Sequence, residues 1–263
     1  MVEQRSYQPL VGGSIPPGSI LSAEIRFQDE YYTTTMDVVN LLRSETPFIF
    51  VKFGDGEYFA AVNAPGGNCD GTPYTQTLGN RIHDSIKTLA VMPHAFIGKW
   101  VDSPQVSVYF QSLCGIPIRW ENYTIFIFRT HAEYYTRCLP MYQAIKNSTQ
   151  QKIYVCNDTM VDGTRSFLNI DAYVVVDRRN WFETSYQTTL DSLKSMITTQ
   201  TPIILTSAGM GAKPLITEIA TLYPAATIID IGSALDLVCS SRRTRDYHVL
   251  TNSETDDIRA SLA

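Results

Sequence analysis

The chain alternates short apolar runs with amphipathic stretches. Apolar runs bounded by breaker residues predict buried strands, and they lie at 48–51, 94–100, 124–128, 152–156, 172–176, 202–206 and 227–231. Stretches with one apolar face predict helices, and they lie at 33–43, 80–91, 105–113, 131–147, 181–198 and 210–222, with a bend expected near Pro140. Because strands and helices alternate, the sequence predicts an α/β fold, with a Rossmann-like, mostly parallel sheet and helices on both faces.

The first 32 residues differ from the rest of the chain. They are polar and carry the breakers Gly12-Gly13 and Pro16–Gly18, which favour irregular structure. We therefore predict an N-terminal arm at 1–32, followed by a single α/β domain at 33–263. Residues 63–79 are rich in Gly, Pro, Asn and Thr, which predicts a long loop of the kind that is usually functional or mobile.

The composition of the chain disfavours several classes of protein. The formal net charge of −5 disfavours a nucleic-acid binder, since binding to a phosphate backbone needs a basic face. The five cysteines include no Cys-x-x-Cys pair, which disfavours structural zinc and favours the reduced thiols of a cytosolic protein. The sequence shows neither a signal peptide nor an apolar stretch of ~20 residues. We therefore expect a cytoplasmic protein with no transmembrane segment.

The first candidate site follows the first predicted strand. Asp55 and Glu57 are two residues apart, so in extended backbone their side chains would project from the same side. Gly54 and Gly56 flank Asp55 and allow tight backbone geometry. Paired carboxylates suit a hard cation such as Mg²⁺ or Mn²⁺, which is often held together with substrate phosphates. The alternative is a tight turn in which Asp and Gly serve the backbone only.

A second and a third candidate follow later strands. Gly209, Gly211 and Lys213 lie where a strand turns into a helix, and free amides at a helix start favour anions such as phosphate. The alternative is an ordinary turn capped by Ser207. Asp230 stands late in the last strand, where it would bond a ribose hydroxyl or act as a capping residue.

Charged residues follow two further strands. Arg129 would clamp a phosphate, and His131 would act as a base or a ligand; the alternative is a salt-bridged arginine beside a capping threonine. Arg178 and Arg179 would bind an anionic substrate, and their alternative is a solvated turn.

Three of these motifs together resemble the GT-D-type glycosyltransferase family. The family's Arg-Phe-Gly-Asp-Gly-Glu stretch with its DxE motif corresponds to Lys52–Glu57, with lysine in place of the usual arginine. The family's Gly-Pro-Thr-Ala-Lys-like turn and its Asp-Ile-Gly correspond to Gly209–Lys213 and Asp230–Gly232. The family's usual histidine after Asp-Ile-Gly is Ser233 here. The resemblance spans roughly residues 35–240, with sharp identity confined to these motifs.

The resemblance implies a metal-dependent hexosyl- or pentosyltransferase. It would move a sugar from a nucleotide diphosphate sugar, with a UDP-sugar as the expected donor, to a hydroxyl of an oligosaccharide or glycoconjugate. Asp55 and Glu57 would engage Mn²⁺ or Mg²⁺ with the diphosphate, or the donor ribose, and the Gly209–Lys213 turn would hold the phosphates. A homodimer is a further expectation, whereas a nucleic-acid partner is not expected.

The catalytic base is the least determined part of this hypothesis. Inversion at the anomeric carbon needs a base that deprotonates the acceptor hydroxyl. Asp70 is the first candidate, and His131 and Asp158 are the others; retention would need none.

Two other functions stay open. One is a SAM-dependent methyltransferase with Gly54–Glu57 as its cofactor loop. In such enzymes the glycine-rich loop normally leads directly into a helix, and an acidic residue stands at the end of the next strand. The residues near the end of the predicted next strand are Gly98 and Lys99, which disfavours that function. The other is a non-catalytic nucleotide-binding module, which would bind its ligand without turnover.

Overall fold

The structure is a computed structural model that describes residues 35–99, 104–128 and 137–262. The predicted arm at 1–32 lies outside the described residues, as do Arg129 and His131. The predictions made for them therefore stay predictions.

Seven strands form one sheet in the described part of the chain. They are β1 (Ile49–Lys52), β2 (Ala95–Lys99), β3 (Trp120–Asn122), β4 (Lys152–Cys156), β5 (Ala172–Val175), β6 (Ile203–Ser207) and β7 (Thr227–Asp230). Their order across the sheet is β3-β2-β1-β7-β6-β4-β5, and every neighbouring pair is parallel. The carboxyl ends of all seven strands therefore lie along one edge, which is where ligands bind in open α/β sheets.

Helices connect the strands. They are α1 (Thr35–Arg43), α2 (Asp55–Ala61), α3 (Gln76–Ala90), α4 (Pro104–Cys114), α5 (Leu139–Asn147), α6 (Val161–Leu168), α7 (Trp181–Met196), α8 (Ala212–Leu222), α9 (Asp236–Ser240) and α10 (Asn252–Leu262). Within the described ranges, none of these helices combines the length and the apolar character needed to cross a membrane.

The two faces of the sheet carry separate hydrophobic cores. Alternate residues of a strand point to opposite faces, so Phe50 belongs to one core while Ile49 and Val51 belong to the other. The core around Phe50 is covered by α1, α5, α6, α9 and α10. The core around Ile49 is covered by α2, α3, α4, α7 and α8. This arrangement confirms the predicted fold class.

The predicted strand at 124–128 is wrong. The strand lies earlier, at Trp120–Asn122, and Tyr123–Phe126 form a short 3-10 helix. The Asn122 side chain starts this turn, because its Oδ1 accepts hydrogen bonds from the Thr124 amide at 2.9 Å and from Thr124 Oγ1 at 2.7 Å. The apolar run is nevertheless buried. Such a run indicates burial, but it does not by itself distinguish a strand from a turn of helix.

The bend expected near Pro140 is not needed. Pro140 lies in the first turn of α5, where a residue without an N–H breaks no helical hydrogen bond.

Candidate active site at the carboxyl edge of the sheet

The Gly54–Glu57 stretch starts a helix instead of extending the strand. Helix α2 begins at Asp55, directly after Gly54, so Asp55 and Glu57 occupy its first turn. Successive helical residues are rotated by about 100°, so these two side chains diverge, and the expectation that they project from the same side is wrong. Glu57 turns inward, where its Oε2 accepts a hydrogen bond from the Gly54 amide at 2.7 Å. Asp55 is exposed to solvent.

Lys213 joins three strand ends. Its Nζ lies 2.9 Å from Oε1 of Glu57 and 2.8 Å from Oδ2 of Asp230, and all three side chains are buried. Asp230 Oδ2 also accepts a hydrogen bond from the Lys52 amide at 3.2 Å. The turns after β1, β6 and β7 are therefore held together by one buried ammonium group between two carboxylates.

Electrostatics keep this buried cluster charged. Burial alone would lower the pKa of Lys213, but the carboxylates of Asp230 and Glu57 outweigh it and raise the pKa above its ordinary value. Burial would raise the pKa of Glu57, and the ammonium groups of Lys213 and Lys52 outweigh that effect, so this pKa is lowered. The pKa of Lys52 is lowered, chiefly by burial. Its Nζ lies 4.8 Å from the ring centroid of Tyr123.

The two glycines of the second motif have different surroundings. Gly209 is exposed and adopts a φ of 63°, a conformation that favours glycine. Gly211 is buried, and a Cβ placed there would lie 2.7 Å from Cζ2 of Trp181. Trp181 is fixed in turn by a hydrogen bond of 2.9 Å from its Nε1 to the Ala208 carbonyl. The missing side chain at Gly211 therefore serves packing against Trp181, and the buried Lys213 does not lie at the surface of the turn.

The loop that follows α2 brings Asp70 to this turn. A Cβ placed on Gly209 would lie 3.0 Å from Oδ2 of Asp70. Asp70 is half-buried, and its Oδ1 accepts a hydrogen bond from the Thr72 amide at 2.9 Å. Asp158 is exposed and follows β4, which β6 separates from β7. Asp70 therefore lies beside the Gly209 turn, whereas Asp158 follows β4, the strand next to β6.

Cys69 lies among several charged groups of this edge. Arg245, Asp70, Asp55 and Lys52 all lie within electrostatic range of its thiol. Burial raises the pKa of Cys69, so the thiol adds no negative charge near neutral pH. The more accessible part of the edge thus carries two carboxylates that Lys213 does not bind, together with the guanidinium of Arg245.

The carboxylates at this edge differ in whether they could bind a divalent metal ion. Both Glu57 oxygens are engaged, by Gly54 and by Lys213, so Glu57 does not fit as a direct ligand. Among the residues that the structure describes, there is no group of three or more His, Cys, Asp or Glu side chains that could hold a metal ion. Exposed Asp55 fits a cation bound by one carboxylate and by substrate phosphates, which is a common arrangement for Mg²⁺.

The segment from Arg242 to His248 lies near this site, although its sequence does not predict a place there. It follows α9, and it brings Arg245 close to Asp70 and Cys69. Its charged composition is typical of a solvated turn. No spacing rule links it to residues that lie more than 170 positions earlier, so tertiary structure alone identifies it.

One comparison with known proteins finds a solved structure of similar fold. The sequence matches no protein-family profile, and no curated protein sequence matches it either. A solved structure described as "The highly conserved domain of unknown function 1792 has a distinct glycosyltransferase fold" is similar, with a TM-score of 0.57 and 16% sequence identity. The similarity covers 77% of this chain and 78% of that one. The chain therefore shares the fold that was described for that domain as a glycosyltransferase fold.

Proposed function

We propose that the chain is a glycosyltransferase that moves a sugar from a nucleotide diphosphate sugar to a glycan hydroxyl, with a UDP-sugar as donor. The shared fold supports this proposal at the level of architecture. The observation that carries it is the position of two carboxylates at the carboxyl edge of the sheet. Asp55 is exposed at the start of α2, and Oδ2 of Asp70 would lie 3.0 Å from a Cβ on Gly209. Arg245 lies within electrostatic range of Asp70. A transferase of this kind needs a ligand for a metal–diphosphate, a group near the acceptor and a cation for the leaving group.

Asp55, Asp70 and the buried cluster have separate roles in this proposal. Asp55 would hold Mn²⁺ or Mg²⁺ together with the donor phosphates, and a bound cation would neutralise charge on the departing diphosphate. Asp70 would accept the proton of the acceptor hydroxyl if the transfer inverts the anomeric carbon. Glu57, Lys213 and Asp230 would keep the three turns rigid, so that the exposed groups are held in place before the donor binds.

A panel of nucleotide sugars tests the proposal. Thermal unfolding would be followed with each nucleotide sugar, with and without Mn²⁺, because a ligand that binds the folded state raises the unfolding midpoint. We expect one UDP-sugar to stabilise the protein selectively, and more strongly with the metal. Release of UDP from that sugar would then be measured with a glycan acceptor. Stabilisation by none of the nucleotide sugars would contradict the proposal.

A methyltransferase is the second candidate, because helix α2 begins directly after Gly54, as a cofactor-binding glycine loop would require. Against it, β2 ends at Gly98 and Lys99, without the acid expected there for the cofactor ribose. S-adenosylmethionine therefore belongs in the same thermal panel, and stabilisation by it alone would favour this candidate.

A further inference from the structure

The segment after α9 is irregular but fixed. His248 is buried, and its Nε2 lies 3.0 Å from the Ser233 carbonyl, just after β7. The Thr244 amide donates a hydrogen bond to Nδ1 of His248 at 3.1 Å, and Thr244 Oγ1 donates to Asp236. These contacts tie the segment to the carboxyl edge of the sheet, so Arg245 is held there by the fold.

Arg245 keeps most of its hydrogen-bonding capacity. Its side chain is half-buried, and Nη1 donates to the Thr244 carbonyl at 2.7 Å. Across the described ranges, Arg245 forms no ion pair with a carboxylate, in contrast to Arg81 and Arg259. A guanidinium has five N–H donors in a planar fork that matches phosphate oxygens. The hydrogen bond to the Thr244 carbonyl uses one of them, and the others can donate to a ligand.

Further arginines lie around Arg245. Asp236 has Arg245, Arg178 and Arg242 within electrostatic range. Arg179 lies against the 63–79 loop, with its Nε 3.1 Å from the position of a Cβ on Gly71. In the described structure, Arg178, Arg179 and Arg242 are exposed and form no ion pair either. Three arginines therefore face Asp236, and one carboxylate does not balance three guanidinium charges.

The buried charges of this edge balance one another. Lys52 and Lys213 balance Glu57 and Asp230, so the buried layer has no net formal charge. Asp55 and Asp70 lie above that layer and would repel an approaching diphosphate. Arg245 lies within electrostatic range of Asp70 and Cys69, and its positive charge opposes that repulsion.

We propose that Arg245, assisted by Arg178, binds the diphosphate of the donor. The proposal rests on the proposed function for the identity of the ligand, and it adds the residues that recognise its anionic part. Arg245 binds phosphate oxygens through two N–H groups, and Arg178 adds a second positive charge at the outer side. Bidentate, charge-assisted bonds of this kind are the strong ones in phosphate recognition.

Binding of UDP, uridine and free pyrophosphate would be measured by calorimetry on the wild type and on three variants. Arg245→Gln should weaken UDP binding about 10- to 100-fold, the usual effect of removing a hydrogen-bonded charge, and should leave uridine binding unchanged. Arg178→Gln should give a smaller loss of UDP affinity. Because Arg178 is exposed, this substitution should leave the stability of the fold unchanged. Arg43→Gln, at the end of α1, is the matched control and should behave as wild type. The midpoint of unfolding would confirm that each variant folds.

The outcomes separate the two proposals. Equal UDP affinity in the wild type and in both edge variants would overturn the role of the arginines while leaving the glycosyltransferase proposal intact. Pyrophosphate binding that depends on Arg245, without any nucleotide or nucleotide-sugar binding, would support an anion site and contradict the proposed function. Absence of binding for all three ligands in the wild type would overturn both.

Discussion

Glu57 and Lys213 form a buried ion pair between two turns that are far apart in sequence. Nζ of Lys213 lies 2.9 Å from Oε1 of Glu57, and both side chains are almost fully buried. The pair fixes the start of α2 against the start of α8, and Asp230 shares the same ammonium group. A buried charge that loses its partner is costly, so these residues support the site through the stability of the fold.

Replacing the shared cation should destabilise the protein. Lys213→Met leaves the carboxylates of Glu57 and Asp230 buried without their ammonium partner, and removal of one partner of a buried pair costs about 3–5 kcal/mol. The free energy of unfolding in urea measures the loss. Lys194→Met is the matched control, since Lys194 forms an exposed pair with Asp191 that is worth at most about 1 kcal/mol. Equal stability of the two variants would show that the buried pair is not formed.

The two acids of the Gly54–Glu57 stretch should separate into a functional and a structural residue. Asp55→Asn should change stability by no more than about 1 kcal/mol, the usual limit for a charge at a helix start. It should lower metal-dependent UDP release about 100-fold or more, because a metal supplies several kcal/mol of charge stabilisation. Glu57→Gln should instead lower the unfolding free energy by about 1–3 kcal/mol, since a buried hydrogen-bonded charge is lost.

Asp191→Asn provides the control for this pair of variants, because it makes the same exchange at an exposed position on α7. It should preserve both stability and UDP release. An Asp55→Asn variant with wild-type turnover would remove Asp55 from the proposed site.

The sequence predicts the strands of the sheet well, but it does not predict which side chains of the site pair with each other. Six of the seven strands follow from apolar runs between breakers, because burial of a strand on both faces is recorded locally. The helix start at Asp55 had a local signal too, since glycine followed three residues later by glutamate fits a helix cap. The pairing of Glu57 with Lys213 has no such signal. Tertiary packing alone selects the buried lysine as its partner.

Gly211 should be less tolerant of a side chain than Gly56. A Cβ at Gly211 would meet the Trp181 ring at 2.7 Å, and overpacking of this kind costs about 1–3 kcal/mol. At Gly56 a Cβ would meet the Asn68 side chain at 3.1 Å. That side chain belongs to a loop and can move, and alanine favours the helix by about 1 kcal/mol over glycine. Thermal unfolding of Gly211→Ala and Gly56→Ala measures the difference, and equal midpoints would contradict the packing of Trp181.

His248 should make stability depend on pH. Its Nδ1 accepts a hydrogen bond from Thr244, so the ring must be neutral, with the proton on Nε2 facing the Ser233 carbonyl. Burial lowers the pKa of His248 below 6.5, and the nearby charges of Arg245 and Arg243 lower it further, although the Ser233 carbonyl opposes them. Because the folded pKa lies below the unfolded value, this contribution to stability is complete above pH 6.5. It is lost as the pH falls from there toward the folded pKa.

The unfolding free energy of wild type and His248→Gln between pH 8 and pH 5 checks this prediction. Glutamine keeps an amide at the position but does not titrate, so its stability should fall less than that of wild type as the pH drops. Tyr247 packs against the imidazole, but burial raises its pKa to about 12, so it stays neutral throughout. Burial also raises the pKa of Asp236; its protonation acts in the opposite sense and is common to both proteins. Parallel pH curves would show that His248 does not hold the Arg245 segment through a neutral ring.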